Sequence, residues 1–201
     1  MRHPAKVTLL AFASLLLGLS LSSVAKADPS FFGASFSGTQ EVPPNASPGF
    51  GTGFVTLDGN LLTFNITFGG LLADTVDAHI HCCAGPGVNA IVAIGFPSTG
   101  FPLGVRSGSY MNTFDLTLAS IYNPAFITAS GGTVDGARTR LISNLFAGQT
   151  YLNIHTSGQQ GGFPGGEIRG QVNPIPEPGT ILLLGSGLIG LASRARRKRK
   201  S

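Results

Sequence analysis

The residues best suited to chemistry are crowded into one stretch, DAHIHCCAG, from Asp77 to Gly85. His79 and His81 stand one residue apart, and Cys82 and Cys83 follow directly. On a β-strand, residues i and i+2 leave the same face about 6.7 Å apart at the backbone. Two imidazoles so placed can turn onto one ion. A third, His155, lies in TYLNIHTS (150–157), where Tyr151, Asn153 and His155 share one side of an alternating pattern. If those two strands lie close together, His79, His81 and His155 make a three-imidazole set suited to Zn or Cu. Asp77 or Glu167 would then orient a ligand ring. The same residues also admit a structural reading. Imidazoles can hydrogen-bond loop carbonyls or the Glu167 and Arg169 side chains, pinning the glycine-rich GQQGGFPGG (158–166). Glu167 and Arg169 are i, i+2 strand neighbours and read as a surface ion pair, worth little unless buried.

The adjacent cysteines leave three options. Neighbouring Cα atoms across a trans peptide are about 3.8 Å apart, whereas ordinary disulfides span 4.4–6.8 Å. A vicinal bridge between Cys82 and Cys83 is therefore strained, yet the chain holds no other cysteine to pair with either sulfur. The alternatives are two soft ligands beside the histidines, or a bond to another chain. The sequence has no Gly-x-Ser-x-Gly, no phosphate loop and no His-Glu-x-x-His. Between Asp28 and Pro176 it has no lysine, which removes Schiff-base chemistry there. We expect no catalytic activity.

The elements that must position these residues read as strands. Gly (29) and Pro (13) are about a fifth of the 201 residues, well above the usual share, so turns are dense. FFGASFSGTQEVPP (31–44) reads as a first strand ending at a Pro-Pro turn. GTGFVTLDGNLLTFNITFGGL (51–71) reads as a hairpin about Asp58-Gly59. In TVDAHIH (75–81), Val76, Ala78 and Ile80 fall on one face and Asp77, His79 and His81 on the other. AIVAIGF (90–96) is nearly continuous in apolar residues and reads as a central strand. SYMNTFDLTLA (109–119), TYLNIHTS and EIRGQVN (167–173) are further strands. TVDGARTRLISNLFAG (133–148) has the spacing of one short helix stopped by Gly148. Together they predict an all-β, antiparallel Greek-key sandwich or barrel, immunoglobulin-like or superoxide-dismutase-like, with one short helix.

The ends are organised differently. Arg2 and Lys6 precede an apolar run, Val7–Val24, and Ala25-Lys26-Ala27 fits a small-x-small cleavage rule. Residues 1–27 read as a signal peptide, cut by signal peptidase between Ala27 and Asp28. Near the other end stand Pro176-Glu177-Pro178, an apolar stretch Thr180–Ala192 and six basic residues among the last eight. A helix over 180–192 would be roughly 20 Å long, short of a bilayer core of about 30 Å, with its basic end inside. The net charge of +4 belongs to these ends. Between Asp28 and Pro176, four arginines (106, 138, 140, 169) face eight acids (28, 41, 58, 74, 77, 115, 135, 167), a balance of −4. That removes the electrostatic footprint of a nucleic-acid partner.

Two resemblances follow. Residues 174–201 resemble the PEP-CTERM sorting tail of exported bacterial proteins: tripeptide, short span and basic end in order. That likeness implies an exosortase-type enzyme acting near Pro176, Glu177 and Pro178. It also implies a Gram-negative host making an extracellular polysaccharide or biofilm matrix, and a cell-envelope or extracellular address reached through a transient membrane anchor. FSGTQEVPP, AHIHCCAG, GQTYLNIHT and GGEIRGQV stand in the order of the CHRD domain, named for chordin, and the likeness covers about 31–172. Cys82-Cys83 departs from the small residue that many members carry there. The resemblance implies a fold and an address without a reaction. His-x-His also resembles the copper strand of Cu/Zn superoxide dismutase, without the rest of that ligand pattern. The domains expected are 1–27, 28–173 and 174–201. The function expected is a non-catalytic binding or adhesion module meeting extracellular polysaccharide or surface proteins. Its alternative is a Zn- or Cu-binding or redox protein built on His79, His81 and His155.

Overall fold

In the segment 61–69, Leu62, Phe64, Ile66 and Phe68 are buried while their neighbours face outward. This period of two repeats around the molecule. A computed structural model describes residues 29–176, 179 and 184–189. The expected signal peptide, its Ala27–Asp28 junction, Glu177, Pro178 and most of the apolar and basic tail lie outside the described residues. Among the described residues, no helix is long and apolar enough to cross a membrane.

Eight strands form one curled antiparallel sheet: β1 (Ser30–Ser37), β2 (Phe50–Asp58), β3 (Leu61–Gly69), β4 (Thr75–Cys82), β5 (Ile91–Gly95), β6 (Gly108–Asp115), β7 (Thr150–Thr156) and β8 (Ile168–Ile175). Their order in the sheet is β5-β4-β7-β8-β1-β2-β3-β6. The sandwich or barrel expected from the alternation is thus met as a half-barrel. Its concave side carries the apolar core. Two helices pack into that core: α1 (Pro124–Ala129) and α2 (Val134–Phe146). Thr133 caps α2 by accepting from the Gly136 amide, and Gly148 takes the left-handed φ (+65°) that ends the turn beyond it. Phe126 from α1 and Ala137, Leu141 and Leu145 from α2 are fully buried. Only α2 was expected. α1 is six residues long and begins at an Asn123 cap followed by Pro124, a signal too short to carry a period.

Two assignments change. AIVAIGF forms the edge strand β5 rather than a central one. Its free edge is covered where Asn123 N–H donates to the Ala93 carbonyl and Ile94 bridges to Tyr122, so an edge strand can be apolar on both faces. Val76 is exposed instead of joining Ala78 and Ile80, because a bulge between Thr75 and Asp77 turns Thr75 inward in its place.

The core is close to all-apolar, so truncation leaves a void. Leu141→Ala should lower unfolding free energy by about 3 kcal/mol, read from the shift in denaturant midpoint at unchanged m-value.

Candidate functional site

The convex face of β4, β7 and β8 is polar and largely buried. Cross-strand pairing lines its residues up in rows: His79 opposite Asn153, which is opposite Arg169, and His81 opposite Tyr151, which is opposite Gln171. Asp77 is paired with His155. Alternation on the two strands and their register therefore bring His79 and His81 together with His155, which is 76 residues beyond His79 in sequence.

Each imidazole is held by one nitrogen. His81 Nδ1 lies 2.9 Å from the Ala90 carbonyl and His155 Nδ1 lies 2.8 Å from the Pro164 carbonyl. A carbonyl oxygen can only accept, so both Nδ1 atoms carry the proton and both Nε2 atoms present a lone pair. His79 Nε2 lies 2.8 Å from Asp77 Oδ2, which by the same argument leaves His79 Nδ1 bare. One ring nitrogen from each of the three histidines lies within 4.8 Å of one from each of the others. His79 Nδ1 and His155 Nε2 face each other at 3.2 Å. Two lone pairs cannot hydrogen-bond; a proton or a cation must lie between them. His81 Nε2 is buried with no hydrogen-bond partner.

The surroundings of His81 and His155 disfavour a proton on either. Burial holds His81 down to about pKa 4, partly offset by its bond to Ala90, and burial lowers His155 as well. Tyr151 stacks on His81 with ring centroids 4.5 Å apart and planes 6° from parallel. The Arg169 guanidinium sits over the other face of Tyr151, 3.4 Å from the ring centroid. Arg169 also donates to the Val88 carbonyl and to Asn89 Oδ1. Beside it, Glu41 accepts from Asn153 Nδ2 at 2.6 Å, and burial raises its carboxyl to about pKa 7 against the opposing pull of Arg169.

Asp77 lies where an orienting carboxylate is needed. Glu167 does not: it is fully buried and accepts from Ser47 Oγ, the Leu72 amide and Thr156 Oγ1, clasping two loops to β7. The expected surface ion pair between Glu167 and Arg169 is absent, since both are buried and each has its own partners. Cys82 and Cys83 are joined by a disulfide with Cα atoms 3.1 Å apart, across a cis peptide bond. Cys82 points into the apolar core, on the opposite face from His81, so its sulfur is no ligand beside the histidines. Sequence reading missed Glu41, whose lone acid before Pro-Pro gave no signal. It also missed the Ala90 and Pro164 carbonyls, which no side-chain pattern can show.

Residues 32–172 match the family model described as the CHRD domain. The chain belongs to the CHRD domain family. Residues 174–198 match the PEP-CTERM protein-sorting motif, including Pro176 within the tripeptide and most of the apolar and basic tail. That motif is the recognition signal of an exosortase-type sorting enzyme and marks an exported, envelope-associated protein. A search of curated proteins and of solved structures found no match.

The opposed shifts predict opposed pH effects in metal-free protein. The folded state resists protonating His81, so its contribution is complete above about pH 6.5 and is lost as pH falls towards 4. The folded state favours protonated Glu41, so its contribution is complete below about pH 4.5 and is lost as pH rises through 7. In the presence of a chelator, Glu41→Gln should leave stability rising with pH from 4 to 6.5, and His81→Gln should leave it falling from 4.5 to 7. Denaturant midpoints against pH read both slopes.

Proposed function

We propose that this exported CHRD protein is a non-catalytic module that binds one transition-metal ion, zinc or copper, through His79 Nδ1, His81 Nε2 and His155 Nε2. The observation that carries the reading is a cluster of three imidazoles, each with one nitrogen bare and the opposite nitrogen already engaged. Nitrogens about 2.0–2.1 Å from a tetrahedral ion lie roughly 3.4 Å apart. The His79–His155 pair, at 3.2 Å, already has that spacing. Only the His81 ring must close in. The hydrogen bond that His79 Nε2 donates to Asp77 raises ligand basicity and fixes the ring's orientation, as carboxylates do behind metal-bound imidazoles. Neutral imidazoles suit zinc and copper alike.

A purely structural role accounts for the two carbonyl bonds but leaves His81 Nε2 buried without a partner, a cost of about 1–3 kcal/mol. Adhesion to matrix polysaccharide or to surface proteins would leave the same nitrogen unexplained. We place the metal-binding module among those molecules because its sorting signal sends it there, with extracellular polysaccharide as its surroundings rather than its ligand.

Full-length protein supplied with zinc or copper should hold one equivalent per chain by elemental analysis. His81→Gln should hold little, at unchanged circular dichroism. Asp77→Asn should weaken affinity by about 10–100-fold in chelator competition, while still binding. Equal metal in parent and His81→Gln would refute the site.

A further inference from the structure

One end of the half-barrel gathers both chain exits. β1 starts there and β8 finishes there, with Phe31 paired to Ile175. The turn between β2 and β3 and the last residues of β6 close the same end. Exposed apolar side chains collect at it. Phe31, Leu61, Leu118, Phe146 and Ile175 are each more than a third exposed. On the adjoining convex face, Phe54 stacks on Phe31 with centroids 5.7 Å apart, and the Ile175 side chain lies across Gly33, which is paired with Phe54. The result is an apolar surface continuous with the strand that leads into the sorting tail.

The tail limits where that surface can be. From Ile175 to Thr180, the first residue of the apolar stretch, the fully extended chain spans at most about 18 Å. The stretch itself, 180–192, would make a helix roughly 20 Å long against a core of about 30 Å. Such a shortfall is met by thinning the bilayer or by drawing flanking groups into the interface, where aromatic side chains are favoured. At this end Asp58 and Asp115 stand beside the Asp135–Arg138 pair, whose Arg138 also donates to Asn60, so acids outnumber cations and give no net attraction to anionic lipid.

We infer that, while the sorting tail tethers the chain, the Phe31–Phe54–Ile175 surface rests on the bilayer as an apolar foot, seated in the interface of zwitterionic lipid. This rests on the reading that residues 180–192 enter the membrane. The foot puts β8 end-on to the lipid and holds the Pro176 region at the headgroups. The opposite end of the sheet, with Leu103, points away: Leu103 adjoins Gly104, which bonds to Thr75 at the start of β4.

The chain has no tryptophan, so one introduced indole reports its site alone. The full chain is reconstituted into phosphatidylcholine vesicles as Phe54→Trp and, separately, Leu103→Trp. Flotation reads the tether. Quenching by phosphatidylcholine brominated high on its acyl chains reads the foot. The expected result is that both variants float, that the indole at 54 is blue-shifted and several-fold more quenched than the one at 103, and that acrylamide reaches the latter better. Failure to float overturns the tether and the foot with it. Flotation with equal, weak lipid quenching at both sites overturns the foot alone. An indole at 54 shielded from both brominated lipid and acrylamide means that another copy covers the face, which also overturns it. Should Phe54→Trp lose its β-sheet dichroism, Ile175→Trp reads the same surface.

Discussion

Half-burying three imidazoles on the back of a sheet whose other face is the apolar core is the constraint that organises this protein. A sheet can bury both faces only if the polar one is satisfied. Here the satisfaction comes from loops and from neighbouring strand side chains. Ala90 and Pro164 supply carbonyls, Asp77 supplies a carboxylate, and Arg169 is held by Val88, Asn89 and the Tyr151 ring. The glycine-rich 158–166 loop and the 83–90 loop are therefore the walls of the histidine cluster. Their backbone direction decides which imidazole nitrogen is left bare.

The charges of the site follow from the same burial. One guanidinium and one carboxyl, Arg169 and Glu41, occupy neighbouring positions under the loops, and Asn153 links Glu41 to the row that contains His79. Burial raises Glu41 and lowers His81, so the two shift in opposite senses. Burial keeps the His81 and His155 imidazoles uncharged beside the Arg169 cation. That arrangement prefers lone pairs to protons at His81 and His155, with the Asp77 carboxylate behind His79.

Export and fold fit together through the strand order. β1 and β8 are neighbours at the middle of the sheet and antiparallel, so the segment after the expected signal peptide and the segment before the sorting motif leave from one end. The opposite end carries the 158–166 loop that closes over His155, away from the exits. A domain so arranged can be held at a membrane by either terminus without covering its histidines.

Much was legible in the residues alone. Alternation in 61–69, 75–81 and 150–157 placed the strands and their faces, the 133–148 spacing placed α2, and the composition of the two ends separated address from domain. Alternation even put Asp77, His79 and His81 on one face, because a strand repeats every two residues whatever it pairs with. Register was not legible. That β4 lies beside β7, so that Asp77 meets His155 and His79 meets Asn153, depends on contacts between residues far apart in sequence, and no local pattern encodes them. Nor could the sequence show that β5 is an edge strand covered by Asn123 and Tyr122, or that Glu167 and Arg169, two residues apart, turn to different partners. The residue types that can hold a metal were set by the sequence. Which of their nitrogens are free to do so was decided only by the tertiary structure, because hydrogen bonds donated to the Ala90 and Pro164 carbonyls fix the tautomers of His81 and His155, and one donated to Asp77 fixes that of His79.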